Sequence, residues 1–503
     1  MGNYFVGIDT GTQGVRIGVT DEKGNFVTVH EKKWGTDYPM PGWAEQNPTV
    51  WWESIEETFG LCCEDLSEDQ KMSLVACSVC ATSSTTFPID MRGNPMTKAM
   101  MWMDIRSRDI AEEINSSGHE RLKQCGGEVS PEWLVPKVLW VKRNQRDIYD
   151  ECWKFVEQLD WINYKLSGNL VASVCNTVCK WNYSVSEGYD RSFFEKIGLE
   201  DYEEKMITDV IKIGEEVGTV TGEWAEKYGI NPKMKIVQGC IDAHMAMFGL
   251  NAVSEKKLAV IMGTSFVHLC LTKEKANVKG IWGPYDSAVI DNLWLLEGGQ
   301  ISASGLVNWF RENFHIEGTK ENVYAQLMES VKDTEIGAEG LVVLDYFQGN
   351  RTPYKDSYSK GVIYGLTMKH TWKHIYRAIL ESVAFGTHNI IKNFEKQGCL
   401  IDKIVACGGV TKDKGWIQII SDVTGKPIVI TKESQAGVLG CCVVAASCGR
   451  YYEDFEEAAA AMVTDEVTFY PDMSSHLKYQ GIFKKYLQLY ESLKSMMRED
   501  RNN

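Results

Sequence analysis

Short apolar runs separated by polar, glycine-containing turns mark the first residues of the chain, which is the pattern of a β-hairpin. Tyr4–Ile8 predicts one strand, and Val15–Thr20 predicts a second strand that returns along it. Asp9–Gly14, with the sequence Asp-Thr-Gly-Thr-Gln-Gly, is expected to form the turn because these residue types favour turns. The chain is therefore expected to open with an antiparallel pair of strands.

A second hairpin is predicted near the middle of the chain, where Leu258–Ile261 leads through Gly263-Thr264-Ser265 into Val267–Thr272. Four residues of the first hairpin recur there at a constant offset of 252 positions (263 minus 11), close to half of the 503-residue chain. The matched pairs are Gly11 and Gly263, Thr12 and Thr264, Val15 and Val267, and Thr20 and Thr272. The repetition predicts two similar α/β halves, residues 1–253 and 254–503, that meet across a cleft; two unrelated hairpins are the alternative.

Strand and helix patterns alternate in the second half, which indicates parallel pairing in a layered α/β domain. Thr371 is positioned to cap a long amphipathic helix that ends at Gly398. The elements predicted after it are a buried strand at Ile404–Cys407, a helix around Trp416–Val423, a strand at Ile428–Ile430, a small-residue helix at Ala436–Ala446, and a terminal helix from about Ser474 that frays after Met497.

Composition and charge narrow the class of protein. Hydrophobic residues make up 44% and charged residues 24%, as in ordinary globular proteins. The net charge of −16 disfavours a broad electrostatic contact with nucleic acid or an anionic membrane. Neither a secretory signal nor an apolar stretch of about 18 residues is visible. The 15 cysteines are then expected to be free thiols in a reducing compartment, which predicts a cytoplasmic protein.

The polar loop of the first hairpin has the chemistry of a phosphate site. Its glycines allow close approach of backbone N–H groups to a phosphate, and Asp9 could hold the water shell of Mg²⁺. A plain polar hairpin turn is the equal alternative. The sequence contains neither G-x-x-x-x-G-K-[ST] nor G-x-G-x-x-G, so a nucleotide site here would be of another type.

Two acidic residues and one lysine stand at predicted strand and helix ends. Asp242 follows an apolar strand at the start of a predicted helix, where it could accept a proton from a substrate hydroxyl; a simple N-cap is the favoured alternative from the residues alone. Glu297, before two glycines, suits a polyol-binding corner, although a solvated turn is more common. Lys180 is by default a surface lysine. The lone Cys77-Ser78-Val79-Cys80 motif, without a second pair or a histidine cluster in sequence, does not predict zinc.

Two longer motifs resemble the signatures of the FGGY family of carbohydrate kinases. The residues Gly361-Val362-Ile363-Tyr364-Gly365-Leu366, then seven residues, then His374–Glu381 fit the C-terminal signature at every defined position. Pro136–Trp140 resembles the core of the N-terminal signature, although Leu134 stands where the strict pattern has Pro, Ser or Thr. The resemblance implies two actin-like (ribonuclease-H-like) α/β domains that close on Mg-ATP and a sugar.

The resemblance also implies roles for individual residues. Asp242 would be the general base, and Mg²⁺ would lie near Asp9 and Asp242, held through water. The residues that would bind the nucleotide are Asp9, Thr10, Gly11, Thr12 and Gln13 in the first phosphate loop, Gly263, Thr264 and Ser265 in the second, and Gly408, Gly409 and Asp413 around the adenosine. Asp413 replaces the asparagine common in the family, and Cys441-Cys442 replaces Ala-Ala.

Within the family, the sequence is most similar to ribulokinases, especially the D-ribulokinase-like branch. The stretches that carry this similarity are Cys80–Ser84, Val178–Trp181, Trp282–Tyr285, Leu296–Gln300 and Gln348–Pro353. By that similarity Ala81, Lys180, Asp242 and Glu297 would contact a ketopentose, and the reaction would phosphorylate ribulose at O5 with ATP. The alternatives are the same chemistry on xylulose, a tetrulose or a polyol, a non-catalytic sugar or nucleotide sensor, and an ATPase with a protein partner.

The expected partners are therefore a small sugar and ATP, with no nucleic acid and no membrane, and a homodimer is possible. D- and L-ribulose are not distinguished, because chirality is read by the shape of a pocket rather than by the spacing of residues.

Overall fold

A computed structural model describes residues 2–125, 127–275, 280–314, 323–448 and 451–499. The chain divides into two compact units. The first unit comprises Met1–Val253, Gly283–Leu295 and Gln435–Thr464, and the second comprises Ser254–Trp282, Leu296–Ser434 and Asp465–Asn503. Within the described ranges, no helix combines the length and the apolar character needed to cross a membrane.

The strands of the two units are mostly short. In chain order they are β1 (Tyr4–Gly11), β2 (Gly14–Thr20), β3 (Phe26–Lys33), β4 (Glu45–Gln46), β5 (Leu74–Ala81), β6 (Thr86–Ile89), β7 (Ala99–Met100), β8 (Lys154–Glu157), β9 (Ala172–Ser173), β10 (Tyr183–Ser184), β11 (Gly188–Tyr189), β12 (Val210–Ile211), β13 (Glu216–Thr219), β14 (Lys235–Val237), β15 (Lys256–Met262), β16 (Phe266–Thr272), β17 (Trp282–Asp286), β18 (Trp294–Gln300), β19 (Val342–Leu344), β20 (Val362–Tyr364), β21 (Ile401–Cys407), β22 (Ile428–Thr431) and β23 (Asp465–Phe469).

Helices fill most of the connections between these strands. They are α1 (Pro48–Asp65), α2 (Glu68–Met72), α3 (Arg108–Ser116), α4 (Leu134–Asn144), α5 (Arg146–Glu151), α6 (Gln158–Ser167), α7 (Val174–Lys180), α8 (Arg191–Lys196), α9 (Tyr202–Lys205), α10 (Gly222–Tyr228), α11 (Asp242–Gly249), α12 (Ser304–Asn313), α13 (Val323–Val331), α14 (Trp372–Lys396), α15 (Lys414–Thr424), α16 (Ala436–Cys448), α17 (Phe455–Met462) and α18 (Met473–Glu499), with 3₁₀ turns at Glu120–Cys125, Ala338–Gly340 and Gly409–Lys412.

The central sheet of the first unit has the strand order β13-β14-β5-β1-β2-β3. β1 pairs antiparallel with β2 and parallel with β5, and β5 pairs parallel with β14. Apolar side chains on these strands, including Phe5, Ile8, Val79 and Ile236, are fully buried. Strands buried on both faces need helices on both sides, which is why the helical connections alternate with them.

Six of the seven strands in the sheet that holds β15 repeat this arrangement, in the order β18-β16-β15-β21-β22-β23. β15 pairs antiparallel with β16 and parallel with β21, β21 pairs parallel with β22, and β22 pairs antiparallel with β23. The strands β1, β2, β5 and β14 thus have counterparts in β15, β16, β21 and β22. The predicted pair of α/β domains with similar mixed sheets is confirmed.

The first hairpin is tighter than the sequence suggested. The ladder continues through the pairs Asp9 with Arg16 and Gly11 with Gly14, so only Thr12 and Gln13 form the turn. The prediction that Asp9 lies in a turn is therefore wrong, because backbone pairing carries β1 to Gly11. The second hairpin has a three-residue turn, since Met262 pairs with Phe266. The two hairpins consequently differ by one residue in cross-strand register.

Elements of the second half follow the predicted order. Thr371 is the N-cap of α14 and forms a capping box with His374, and α14 ends at Lys396 just before Gly398, whose φ is +90°. β21, α15, β22 and α16 follow in sequence, and α18 continues past Met497 to Glu499 rather than fraying there. Ile379 and Val383 of α14 lie in one buried core with strand residues that include Leu258 and Ile404.

Candidate active site

Three parallel strands of the first unit end at one edge of its sheet and bring distant residues together. Asp9 on β1 pairs with Cys80 on β5, and Ala81 at the end of β5 forms a bridge with Ile241. Asp242 comes next in the chain and begins α11. Because functional side chains of open α/β sheets collect at the carboxyl ends of parallel strands, this edge is the candidate active site.

Asp9 lies beside the first turn of α16, which is part of the same unit. A Cβ atom at Gly437 would lie 2.7 Å from Asp9 Oδ2, so the absence of a side chain there allows the close approach. A Cβ atom at Gly7 would lie 2.2 Å from Val438 O, which shows how closely the helix packs on β1. The N-terminal end of a helix carries partial positive charge and therefore favours a carboxylate or a phosphate nearby.

Burial and neighbouring positive charge act in opposite directions on the Asp9 carboxyl group. Burial raises its pKa, and the Arg16 guanidinium, with Nη1 3.6 Å from Oδ2, acts in the opposite direction. The Cys80 thiol donates to Oδ1 at 3.4 Å. A carboxylate so enclosed is stabilised by each further cation that reaches it.

The other loop residues have structural partners that the sequence did not reveal. Thr10 Oγ1 donates to Cys80 O at 2.8 Å, so this hydroxyl ties β1 to β5. The Thr12 carbonyl accepts from Gln46 Nε2 at 2.8 Å, and the Thr12 hydroxyl accepts from Trp102 Nε1 at 2.9 Å. Gln13 is exposed at the tip. Hydrogen bonds from Gln46 and Trp102 therefore fix the turn at Thr12.

A cavity of about 290 Å³ lies over this turn. It is lined by Gly11, Thr12, Gln13, Gly14, Val15, Arg16, Glu31, Lys32 and Lys33. Three of these side chains are cationic and one is anionic. Glycine backbone beside an excess of positive charge is chemically suited to a phosphate-bearing ligand, and the predicted phosphate-binding role of this loop stays a prediction.

Asp242 occupies a helix start without being a cap. The N-cap residue of α11 is Ile241, and Asp242 is the first helical residue, so the N-cap alternative is wrong. Its Oδ1 accepts from the backbone N–H of Ala243 at 2.7 Å, and the side chain is only partly buried. A carboxylate fixed on a helix and open on one side is well placed to accept a proton.

The loop after β5 is held by a buried polar network. Ser84 has φ +60°, a conformation that non-glycine residues adopt only when the surroundings impose it. Its N–H donates to Glu157 Oε2 at 2.8 Å, and its carbonyl accepts from Lys137 Nζ at 2.7 Å. Lys137 Nζ also donates to Met101 O at 2.7 Å, and Asn176 Nδ2 donates to Glu157 Oε2 at 2.7 Å.

Burial shifts the pKa of both charged residues of this network. It lowers the pKa of Lys137 to about 8 and raises the pKa of Glu157. Sequence reasoning missed Glu157 altogether; Lys137 belonged to a recognised motif, but its pattern did not reveal a buried amine. Both are positioning residues, because they fix the loop rather than line its open side.

Lys180 is half-buried rather than a plain surface lysine. It ends α7, and its ammonium lies 5.5 Å from the Trp133 ring and 5.7 Å from the Tyr285 ring, both buried. Cation–π contacts of this kind attract the ammonium to the ring faces and so restrict its position. The same helix carries Cys175, whose thiol lies 3.0 Å from His244 Nδ1, two residues after Asp242.

The predicted nucleotide loops of the second half lie in the second unit. Gly263–Ser265 joins β15 to β16, and the start of α12 contacts it through Ser304 Oγ, which donates to Gly263 O at 2.8 Å. Gly408 follows β21 with φ +106°, and a Cβ atom there would lie 2.5 Å from Met262 O. Gly409 begins a 3₁₀ turn. Both loops therefore meet at the ends of two adjacent parallel strands.

Asp413 and Glu297 each have a defined place at or within a secondary-structure element. Asp413 is the N-cap of α15, with Oδ1 accepting from Trp416 N at 3.1 Å. Glu297 lies inside β18 and is half-buried, so the solvated-turn alternative is wrong. Lys180 belongs to the first unit and Glu297 to the second, and their joint contact with one sugar stays a prediction.

Comparison with known proteins identifies related sequences along almost the whole chain. Models of the N-terminal and C-terminal domains of the "FGGY family of carbohydrate kinases" match residues 4–249 and 258–448. An "FGGY carbohydrate kinase domain-containing protein" of Xenopus laevis is 30% identical over 533 residues, which cover 97% of this chain and 96% of the relative. "Ribulokinase 2" of Staphylococcus saprophyticus is 29% identical over 529 residues, with 97% of each chain covered.

A solved structure shows the same fold. The ligand-bound xylulose kinase of Lactobacillus acidophilus matches this chain with a TM-score of 0.89 at 20% sequence identity, over 99% of both chains. At that identity the similarity establishes architecture and not substrate.

Proposed function

This chain belongs to the FGGY family of carbohydrate kinases, and from that premise we propose that it transfers the γ-phosphoryl group of ATP to the terminal hydroxyl of ribulose, forming ribulose 5-phosphate. The observation that carries the proposal is the meeting of Asp9, Ala81 and Asp242 at one edge of the first sheet. The ribulokinase similarity of residues 80–84 and 178–181, together with the full-length match to a ribulokinase, supports the choice of ketopentose.

Asp242 is the proposed general base. Its carboxylate takes the proton of the sugar hydroxyl as that oxygen attacks the γ-phosphorus, and the β–γ bridging oxygen leaves with ADP. The N–H of Ala243 holds Oδ1 and so fixes the direction of the carboxylate. A base held in place in this way needs no reorganisation when the proton moves.

The phosphates are proposed to bind at the two hairpin turns. Gly11, Thr12 and Gln13 line a cavity with an excess of cationic side chains, and their backbone N–H groups are the proposed hydrogen-bond donors to the phosphates. Carboxylate oxygens are the ligands that Mg²⁺ prefers, so Asp9 and Asp242 fit this ion, directly or through water. A bound Mg²⁺ neutralises charge on the transferring phosphoryl group.

The sugar is proposed to bind against the loop that follows β5. Ser83 Oγ and Asn176 Oδ1 are buried and have no hydrogen-bond partner among the described residues. Unpaired buried polar atoms are costly, and a ligand with several hydroxyl groups would satisfy them. Lys180 would contribute a cationic donor from α7, and Glu297 a carboxylate acceptor.

The remaining roles follow the two halves of the chain. We propose that residues 1–253 hold the sugar and the first phosphate loop, and that residues 254–503 hold the second phosphate loop and the adenosine. Gly408 and Gly409 would approach the adenosine by their backbone, while Asp413 acts mainly as the cap of α15. We further propose that the protein is cytoplasmic and forms a homodimer.

The test is an ADP-release assay with Mg-ATP against D-ribulose, L-ribulose, D-xylulose, L-xylulose, erythrulose, glycerol, erythritol and ribitol. Turnover concentrated on one ribulose enantiomer is expected, because a site that bonds given hydroxyls rejects analogues lacking them. Preferred turnover of xylulose, a tetrulose or a polyol would contradict the choice of ribulose and leave kinase chemistry intact. ATP binding without turnover on any acceptor would contradict the catalytic proposal and favour a sensor.

A further inference from the structure

A cluster of thiols and one imidazole lies next to the start of α11 in the first unit. The ligand atoms of Cys175, Cys179 and His244 all lie within 4.8 Å of one another, and the three side chains are buried. His244 Nδ1 is 3.0 Å from Cys175 Sγ, the thiols of Cys179 and Cys240 both neighbour Cys175, and Cys240 Sγ donates to Ile241 O at 3.5 Å. Two sulfur atoms and one ring nitrogen thus converge on one small volume, and Cys240 lies beside Cys175 at its edge.

The four side chains come from two segments with the same spacing. Cys175 and Cys179 stand four residues apart on α7, so their sulfur atoms lie on one face of the helix. Cys240 and His244 stand four residues apart across the start of α11. Closely spaced ligand pairs on two segments, three cysteines and one histidine in all, are typical of structural zinc sites.

The distances within the cluster are also close to those of a tetrahedral zinc site. Zinc–sulfur bonds of about 2.3 Å place neighbouring donors of a tetrahedral site roughly 3.8 Å apart. Small side-chain rotations would bring Cys175, Cys179 and His244 into that range. A rotation of the Cys240 thiol away from Ile241 O would supply the fourth ligand. In the part of the chain that the structure describes, no other group of three His, Cys, Asp or Glu side chains is brought together in this way. The cluster is therefore not a routine consequence of a cysteine-rich sequence.

We propose that Cys175, Cys179, Cys240 and His244 bind one Zn²⁺ ion as a structural site. The thiols release their protons to solvent when the metal binds, and no sulfur changes its oxidation state. The metal joins the end of α7, just before Lys180, to the segment around Asp242. Cys240 and His244 flank Asp242 at two residues on either side, so the metal holds the backbone that carries this carboxylate.

The first experiment measures the metal content of the full chain. The protein is produced with added zinc, purified without chelators and analysed by inductively coupled plasma mass spectrometry. About one zinc ion per chain is expected, and C175A/C179A should retain about tenfold less. The matched control is C270A/C399A, which removes another pair of buried thiols, 2.9 Å apart in the second unit, and should keep its zinc.

Cobalt gives a second readout that requires no enzymatic activity. Co²⁺ in place of zinc should produce thiolate-to-cobalt charge transfer and tetrahedral d–d bands in the unmodified chain and in C270A/C399A, but not in C175A/C179A. Removal of the metal by a chelator should lower the Tm of the unmodified chain, and zinc should restore it.

Two results would overturn the zinc site. One is an unmodified chain that, after exposure to zinc, carries far less than one ion and shows no cobalt–thiolate band. The other is C175A/C179A holding as much metal as C270A/C399A. If C175A/C179A does not fold, the metal content and the cobalt spectrum of the unmodified chain decide alone. Failure of the sugar assay leaves these measurements unaffected.

Discussion

At the end of β1 the chain has Asp9, and at the equivalent position of β15, 252 residues later (261 minus 9), it has Ile261. Asp9 pairs with Arg16 on one side and Cys80 on the other, whereas Ile261 pairs with Val267 and Cys407. The order and direction of the paired strands are the same although the cross-strand register differs by one residue, and the charged pair is present only in the first hairpin. The two hairpins therefore share their architecture but not their charged side chains.

The same asymmetry recurs at the helix that follows the third parallel strand. α11 follows β14 and begins with Asp242, while α16 follows β22 and begins with Ala436. Both acids of the candidate site thus belong to the first copy, and their counterparts in the second copy are apolar. Binding a nucleotide needs turns with exposed backbone, whereas proton transfer and metal binding need carboxylates. The two copies of the fold can therefore specialise, the first in the chemistry that needs carboxylates and the second in nucleotide binding.

The largest expected effect is the loss of Asp242. Asp242→Asn should fold normally and lower kcat by more than about 10²-fold, because the amide cannot accept the hydroxyl proton. Steady-state ADP release on the best sugar of the panel measures it. The matched control is Asp109→Asn, an exposed acid in the first turn of α3, which should keep its activity. Near-normal turnover by Asp242→Asn would remove Asp242 from the role of base.

A smaller loss of activity is expected when Asp9 is replaced. Asp9→Asn should lower kcat by about 10- to 100-fold and raise the Mg²⁺ concentration needed for activity, because a ligand charge is removed. It should leave the Tm unchanged or higher, since burial disfavours the charged carboxylate. Ile261→Val, at the equivalent position of the second hairpin, should change activity little. Equal losses in the two variants would contradict the specialisation of the first copy.

The pH dependence of stability tests the buried lysine of the first unit. Burial lowers the pKa of Lys137 from 10.5 to about 8 in the folded chain, although Asp104, Glu132 and Glu157 oppose the shift. Between these two values the unfolded lysine keeps its proton and the folded one loses it, so the free energy of unfolding should rise with pH. The rise is at most about 3 kcal/mol.

Denaturant unfolding at pH values from 7.5 to 10.5 measures this slope. Lys137→Met should remove the Lys137 contribution to it, and Lys23→Met, at an exposed lysine, should keep it. A slope that is identical in the two variants would show that Lys137 is not the group responsible.

The smallest expected effect concerns packing at the first hairpin. Gly437→Ala should destabilise the fold by about 1–3 kcal/mol, because the new Cβ would lie 2.7 Å from Asp9 Oδ2. Gly481→Ala, at an exposed glycine within α18 with no atom within 4 Å of the new Cβ, should stabilise by roughly 0.5–1 kcal/mol. Thermal unfolding of both variants measures the difference. A Gly437→Ala variant with a higher free energy of unfolding would show that α16 does not pack tightly against Asp9.

Local patterns in the sequence were enough for the two hairpins and for the order of the predicted elements in the second half. The capping residue Thr371, the glycine after α14 and the apolar runs of β15, β21 and β22 depend on residues within a few positions of one another. The extent of β1 was misjudged, because Asp-Thr-Gly favours a turn locally while pairing with β2 and β5 keeps it extended. Local preference was outweighed there by strand pairing on both sides.

The sequence by itself determined that the chain has two similar α/β domains, through a repeat 252 residues apart, and it determined the two hairpins and the acids placed after apolar runs, through patterns of neighbouring residues. Only the tertiary structure assigned residues 283–295 and 435–464 to the first unit. Only the tertiary structure decided that Asp9, Ala81 and Asp242 meet at one edge, that Lys137 and Glu157 hold the Ser84 loop, and that Cys175 lies against His244. These contacts join segments tens to hundreds of residues apart. Their existence depends on which strands pair in parallel and in what register, and no local spacing encodes that choice.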